Sequence, residues 1–201
     1  MSTESLIQIK NFKKEYLNKV IHISNISIAK RVTIIIGENG SGKSTLFKGI
    51  ANILKYDGEI NHKLIISYMP ENPHYPEDIS IEVFLNELSY LERKNPIEYM
   101  GLLNHFDLRS KLHDKISSLS KGMKAKLNLI QCLMRSVDLY VLDEPLSGLD
   151  KESVKKLVKY IETSSKRFLI SSHLDTAFKK LDKEVISLWS NYIFLIYTLK
   201  R

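Results

Sequence analysis

A β-branched run, Val32-Thr33-Ile34-Ile35-Ile36, leads directly into Gly37-Glu38-Asn39-Gly40-Ser41-Gly42-Lys43-Ser44-Thr45. Leu46, Phe47, Ile50, Ile53 and Leu54 then recur at helical spacing. A strand, a loop reading G-x-x-x-x-G-K-[ST] and a helix, in that order, are the requirements of a phosphate-binding loop. The glycines let the backbone curl so that successive N–H groups point into one concavity. The helix that begins there adds the positive end of its dipole. Lys43 can reach the β- and γ-phosphates of a nucleotide, and the Ser44 hydroxyl can ligate Mg2+. A glycine-rich turn can match such a pattern by chance, but the strand before it and the helix after it make that the weaker account.

A loop of this kind needs a core to hold it. The 201 residues suffice for one domain of ordinary size, and 43% hydrophobic with 26% charged residues fits a globular protein. The single cysteine, Cys132, precludes an internal disulfide and suits a reducing compartment. Residues 1–5 lack the charged-then-apolar pattern of a signal peptide, and the apolar stretch 192–199 is too short to span a bilayer. The chain is therefore not expected to cross a membrane by itself. The net charge is +7, but the lysines are scattered (Lys10, Lys13, Lys14; Lys121, Lys124, Lys126; Lys155, Lys156, Lys159). No arginine–aromatic interleaving accompanies them, so a solvated face is expected rather than a nucleic-acid surface.

Along the chain, residues 6–12 and 20–28 alternate apolar and polar and read as partner strands, with Tyr16 between them. Asp57-Gly58 marks a turn after the loop's helix, and residues 59–60 and 64–68 suggest short strands. Three prolines in Met69-Pro70-Glu71-Asn72-Pro73-His74-Tyr75-Pro76 allow no regular element, so this is a loop and a hinge. A helix capped by Ser80 follows, with Val83, Phe84, Leu88 and Leu91 as its expected inward face. A second helix begins at Asn95-Pro96, with Ile97, Met100, Leu103 and Phe106 inward, and residues 108–117 allow one short turn more. Ser120 caps a long helix that carries Met123, Leu127, Ile130, Leu133 and Met134, with Cys132 as a packing residue. Residues 138–143 form a buried strand ending in acid, and Asp150 caps a helix with Val154, Leu157, Val158 and Ile161 inward. Residues 168–170 form a strand ending at Ser171-Ser172-His173, and residues 185–188 and 192–196 fit a closing hairpin.

Asp143-Glu144 at the end of an apolar strand completes a chemistry. In phosphate-loop enzymes the first such acid holds Mg2+, and Glu144 is placed to accept a proton from water attacking the γ-phosphate. Leu119-Ser120-Lys121-Gly122-Met123 stands just upstream, Ser147-Gly148-Leu149-Asp150 just downstream, and His173 ends the next strand. With that ordered set, the chain resembles the ATP-binding cassette (ABC) family over nearly its whole length. The resemblance implies an α/β phosphate-loop NTPase cassette: a single domain with a mixed-sheet, RecA-like core (residues 1–75 and 136–201) and an inserted helical subdomain (76–135). It implies ATP and Mg2+ as ligands, hydrolysis as the reaction, and the following roles. Gly37, Glu38, Asn39, Gly40, Ser41, Gly42, Lys43, Ser44 and Thr45 cradle the phosphates, and Tyr16 stacks on adenine. Ser44, Asp143 and Glu71 surround the metal; Glu144, His173, Lys43 and Glu71 serve the chemistry. Ser120 and Gly122 clamp the γ-phosphate of the opposite subunit, and Asp150 communicates across the dimer.

The sequence departs from the family's pattern in three places. Lys121 and Met123 replace a glycine and a glutamine of the usual Leu-Ser-Gly-Gly-Gln signature, Glu71 replaces the hinge-loop glutamine, and Ala29-Lys30-Arg31 replaces a glycine-acid turn. The resemblance implies a second nucleotide-binding domain, identical or not, and a separate membrane-spanning permease. The chain would then be cytoplasmic, peripheral on the inner face of the membrane, with no nucleic acid as partner and no accessory regulatory domain. Pro70-Glu71-Asn72-Pro73 is similar to some bacterial exporter cassettes and points to export. Tyr75, Ile79 and Phe84 are candidates for the groove where a permease helix docks. Two other readings stay open: a non-transport ABC ATPase acting on ribosomes or nucleic acid, and a nucleotide-gated binding module with little turnover.

Overall fold

A computed structural model gives the fold, described for residues 5–92, 97–173, 176–188 and 196–197, with 97–98 and 196–197 described by backbone alone. The chain divides into two compact units: Met1–Tyr68 with Val137–Glu144 and Ser165–Arg201, and Met69–Ser136 with Pro145–Ser164. No helix among the described residues is long and apolar enough to cross a membrane.

The first unit contains two sheets. In the smaller, β1 (Ile7–Tyr16) pairs antiparallel with β2 (Lys19–Ile23), β3 (Ile26–Ile28) and β5 (Asp57–Asn61). Phe12 lies opposite Ile23 and Ile7 opposite Ile28, so β2 and β3 follow β1 in one register. The single strand expected over 20–28 is interrupted at Ser24-Asn25. By that register Asn11, at φ 50°, stands opposite the break, and the register of β1 against β5 shifts between Lys10 and Lys13, the mark of a bulge. Asp57-Gly58 opens β5 rather than forming a separate turn.

The larger sheet runs β10 (Ile196–Tyr197), β9 (Glu184–Ser187), β4 (Val32–Ile36), β8 (Arg167–Ser172), β7 (Leu139–Leu142), β6 (Ile66–Met69). β4 is parallel to β8 and β9, β7 is parallel to β8, and β10 is antiparallel to β9, so the sheet is mixed. The partner strand expected over 192–196 falls mostly outside the described residues. All of β7 and most of β4 and β8 are buried, which is why they read as unbroken apolar runs. The helix α1 (Lys43–Ile50) contributes Leu46, Phe47 and Ile50 to one core with Ile7, Ile9 and Phe12 of the smaller sheet and Ile35, Val141, Leu169 and Ile186 of the larger. The helix stops at Ile50, four residues before Leu54. Asn52 takes a left-handed conformation at φ 57°, a common helix terminator, and leaves Ile53 exposed.

The turn Ala29-Lys30-Arg31 is held from elsewhere in the chain. One carboxylate oxygen of the buried Glu184 accepts from the Ala29 amide at 3.0 Å, the Lys30 amide at 3.1 Å and the Thr33 hydroxyl at 2.6 Å. It thereby fixes the entry to β4. The Thr33 donor is buried and the two amides are part-buried, and removing the acceptor of a buried donor costs about 1–3 kcal/mol. Glu184→Ala is accordingly expected to lower stability by about 3 kcal/mol and the thermal midpoint by about 6 °C or more. Calorimetry checks this, and a shift below about 2 °C would show that solvent replaces the carboxylate.

The second unit is helical: α2 (Ile81–Leu91), α3 (Ile97–His105), α4 (Lys121–Leu133) and α5 (Lys151–Thr163), with short 3-10 turns at Arg109–Lys111 and Ile116–Ser118. The caps follow the sequence signals. Ser80 accepts from the Val83 amide, Ser120 from the Met123 amide and Asp150 from the Ser153 amide. The inward face of α2 is Ile81, Leu85 and Ser89, while Val83 and Leu91 are exposed. Of the expected face, Phe84 and Leu88 are partly buried, while Val83 and Leu91 face solvent. In α3, Tyr99, Leu103 and Phe106 are buried, and the Tyr99 hydroxyl donates to Asn86 Oδ1 at 2.8 Å. The start expected at Asn95-Pro96 lies outside the described residues. Tyr75, Ile79 and Phe84 are all partly buried. Tyr75 meets Phe84 edge-on at 5.6 Å and its hydroxyl donates to the Lys124 carbonyl at 3.3 Å, so both rings serve packing within this unit.

Candidate functional site

The loop after β4 has the conformation its glycines permit. Gly42 caps α1 at φ 101°, where a Cβ would lie 2.5 Å from Ile21 Cγ2. A Cβ on Gly37 would lie 2.2 Å from the Leu188 carbonyl oxygen. No side chain caps α1 and no acidic residue occupies its first turn, so nothing on the helix competes with an anion there. Lys43 is buried and donates to the Gly37 carbonyl at 2.7 Å and the Glu38 carbonyl at 3.2 Å. Ser41 Oγ is buried with no hydrogen-bond partner. Ser44 and Thr45 are partly buried, and Glu38, Asn39 and Gly40 are exposed. Tyr16 ends β1 with its ring solvent-accessible and its hydroxyl 3.2 Å from Thr45 Oγ1, beside the loop.

Three neighbouring parallel strands deliver the remaining groups of this unit. β4 ends in the loop, β8 ends at His173 and β7 ends at Asp143-Glu144. Ile36 pairs with Ser172 and Leu142 with Ile170, so the carboxyl ends of all three lie at one edge, where ligands of open α/β sheets bind. Glu144 Oε1 lies 3.5 Å from Lys43 Nζ and 3.7 Å from His173 Nε2. That oxygen is buried and makes no hydrogen bond. Asp143 is buried and accepts from the Ser171 hydroxyl at 2.7 Å and the Tyr68 hydroxyl at 3.2 Å.

The first unit thus brings together Lys43, Glu144 and His173, and separately Tyr16 and Thr45. The other expected residues lie in the second unit. Ser120 caps α4, and an added Cβ on Gly122 would sit 3.2 Å from the Gly148 carbonyl oxygen. Asp150 caps α5 and lies 3.4 Å from Lys126 Nζ. Its hydrogen bond from the Ser153 amide draws its carboxyl down to about 2. Glu71 is exposed in the proline-rich loop.

Among the described residues no cluster of three acidic, histidine or cysteine side chains could hold a metal. Mg2+ in nucleotide sites needs only one or two carboxylates beside substrate phosphates, and Asp143 with the Ser44 hydroxyl is a donor set of that kind. Three residues escape sequence reasoning. Lys19 donates to the Gly40 carbonyl, and Ser171 and Tyr68 hold Asp143. Strand register alone could have pointed to Ser171, one position beyond the Leu142–Ile170 pair; nothing local marks Lys19 or Tyr68.

A sequence model of the ABC transporter family matches residues 23–147. The zinc import ATP-binding protein ZnuC of Buchnera aphidicola is 35% identical over 192 residues, covering 89% of this chain and 79% of that protein. The cytochrome c biogenesis ATP-binding export protein CcmA of Reclinomonas americana is 35% identical over 190 residues, covering 81% of this chain and 82% of its own. The solved structure of an ATP-binding subunit of an ABC transporter superposes with a TM-score of 0.82 at 25% identity, over 97% of this chain and 90% of that one. The phosphate loop, the acids that end β7 and the histidine that ends β8 therefore stand in an ATPase cassette, and the chain belongs to the ABC transporter family.

Proposed function

We infer that this chain is the ATP-hydrolysing subunit of a transporter and drives a separate membrane-spanning permease. The observation that carries the reading is the convergence of Lys43, Glu144 and His173 at the ends of three adjacent strands, with the Glu144 Oε1 atom buried and without a hydrogen bond. Such an oxygen is a poised proton acceptor. The loop amides and Lys43 would bind the β- and γ-phosphates, Lys43 exchanging its two backbone carbonyls for phosphate oxygens. Tyr16 would stack on adenine. Ser44 and Asp143 would hold Mg2+, which when bound offsets charge on the β- and γ-phosphates. Glu144 takes the proton of the attacking water and His173 orients that water against the γ-phosphate.

Ser120 and Gly122 would complete the site of a second nucleotide-binding domain, Asp150 would sense that partner, and Glu71 would lie at the hinge beside the helical part (76–135). The working unit is then a dimer on the inner face of the membrane. The relatives include proteins named for zinc import and for export, so the reading carries no direction.

The test is to purify the chain from its own membranes under mild detergent and measure phosphate release. The expected result is co-purification with a polytopic membrane protein and Mg2+-dependent ATPase activity. Active ATPase found only with ribosomes or nucleic acid would replace the transport reading, and nucleotide binding without phosphate release would make the chain a gated binding module.

A further inference from the structure

We propose that Ser171 is a positioning residue that sets the metal-holding acid and the general base together, with Tyr68 as a second hold on the acid. The inference rests on the roles assigned to Asp143 and Glu144 above. Ser171 is fully buried near the end of β8. Its oxygen accepts from the Glu144 amide at 2.7 Å, and its hydroxyl donates to Asp143 Oδ1 at 2.7 Å. The polarity of this relay is fixed. An amide can only donate, so the one proton of the serine is left for the carboxylate.

The relay matters because of the backbone it holds. Glu144 sits at φ 47°, in the left-handed region that is unfavourable for a residue with a Cβ. Its Oε1 atom makes no hydrogen bond, with Lys43 Nζ at 3.5 Å and His173 Nε2 at 3.7 Å. No hydrogen bond at Oε1 fixes the carboxylate, so the main chain at 143–144 contributes to its direction. The Ser171 bond is a specific interaction that offsets the cost of that turn. Asp143 is fixed by the same hydroxyl on one oxygen and by Tyr68 on the other, at 3.2 Å. Two hydroxyls on two oxygens define the carboxylate plane and leave lone pairs on both for a further ligand.

A group displaced by about 1 Å from a reacting centre can lose about 10²-fold in rate. Ser171→Ala is expected to lower kcat by about 10- to 100-fold while nucleotide binding at saturating Mg2+, followed with a fluorescent nucleotide, changes by less than about threefold. Hydrogen exchange at the Glu144 amide should accelerate by about tenfold or more. Ser171→Thr keeps the hydroxyl and should restore kcat to within about threefold of the parent. Tyr68→Phe should raise the Mg2+ concentration for half-maximal nucleotide binding by about threefold or more.

Glu144→Gln is measured beside them. If it stalls while a folded Ser171→Ala turns over like the parent, the positioning inference is wrong and the site reading stands. If Glu144→Gln hydrolyses normally, the base assignment itself falls. A threonine variant as slow as the alanine variant would also refute the role of the hydroxyl. Should Ser171→Ala fail to fold, Ser171→Thr and Tyr68→Phe decide: a slow threonine variant overturns the role of Ser171, and an unchanged Mg2+ requirement overturns that of Tyr68.

Discussion

Lys43→Ala is expected to lower ATP hydrolysis by at least about 10²-fold, the scale of losing one preorganised donor at a developing charge. Lys43 is buried, and its ammonium rests on the Gly37 and Glu38 carbonyls, 3.5 Å from Glu144. In the proposed reaction the same ammonium follows negative charge on the γ-phosphate as it leaves the β-phosphate. Alanine removes that charge and leaves Glu144 without its ammonium neighbour, the His173 ring standing at 3.7 Å. An uncompensated carboxylate beside incoming phosphates opposes binding, so nucleotide affinity should fall along with kcat. Phosphate release and fluorescent-nucleotide titration measure the two effects, and circular dichroism checks the fold. A folded variant with turnover within about threefold of the parent would remove Lys43 from the site.

What the sequence disclosed and what it concealed divide along a physical line. The loop at 37–45, the caps Ser80, Ser120 and Asp150, and the buried strands β4, β7 and β8 were all legible, because each depends on residues adjacent in the chain. The bulge at Asn11 was not, since an asparagine at φ 50° leaves no trace in an alternating pattern. The face of α2 was legible only in part: Phe84 and Leu88 are partly buried, but Val83 and Leu91 are apolar yet exposed while Ser89 is buried. Composition does not distinguish an apolar residue facing solvent from one facing a core. Contacts between distant residues leave no local mark in the sequence. Glu184 supporting the turn at Ala29-Lys30, and Ser171 joining Asp143 to Glu144, exist only once β4, β7, β8 and β9 are laid side by side. The list of candidate site residues came from local motifs, and the groups that orient them came from sheet register.

Glu144→Gln is expected to separate binding from chemistry more sharply than any other substitution. The amide keeps the shape of the side chain but cannot take a proton from water, and general-base assistance is worth about 10²–10⁴ in rate. The surroundings favour a clean result. Oε1 makes no hydrogen bond, so its replacement by an amide group breaks none, and the left-handed turn at 144 depends on the backbone amide rather than on the side chain. Removing a negative charge 3.5 Å from Lys43 also leaves that ammonium freer to engage phosphate. Nucleotide affinity should therefore be kept or improved while hydrolysis is slowed by about 10²-fold or more. If two such domains close on ATP and open only after hydrolysis, the variant should accumulate as a closed dimer in Mg-ATP. Light scattering with Mg-ATP, compared with Mg-ADP, reads this directly as a doubling of mass. A variant that stays monomeric in saturating Mg-ATP, although it binds nucleotide and cannot hydrolyse it, would separate the catalytic role of Glu144 from dimer closure. The second domain would then have to be a different chain.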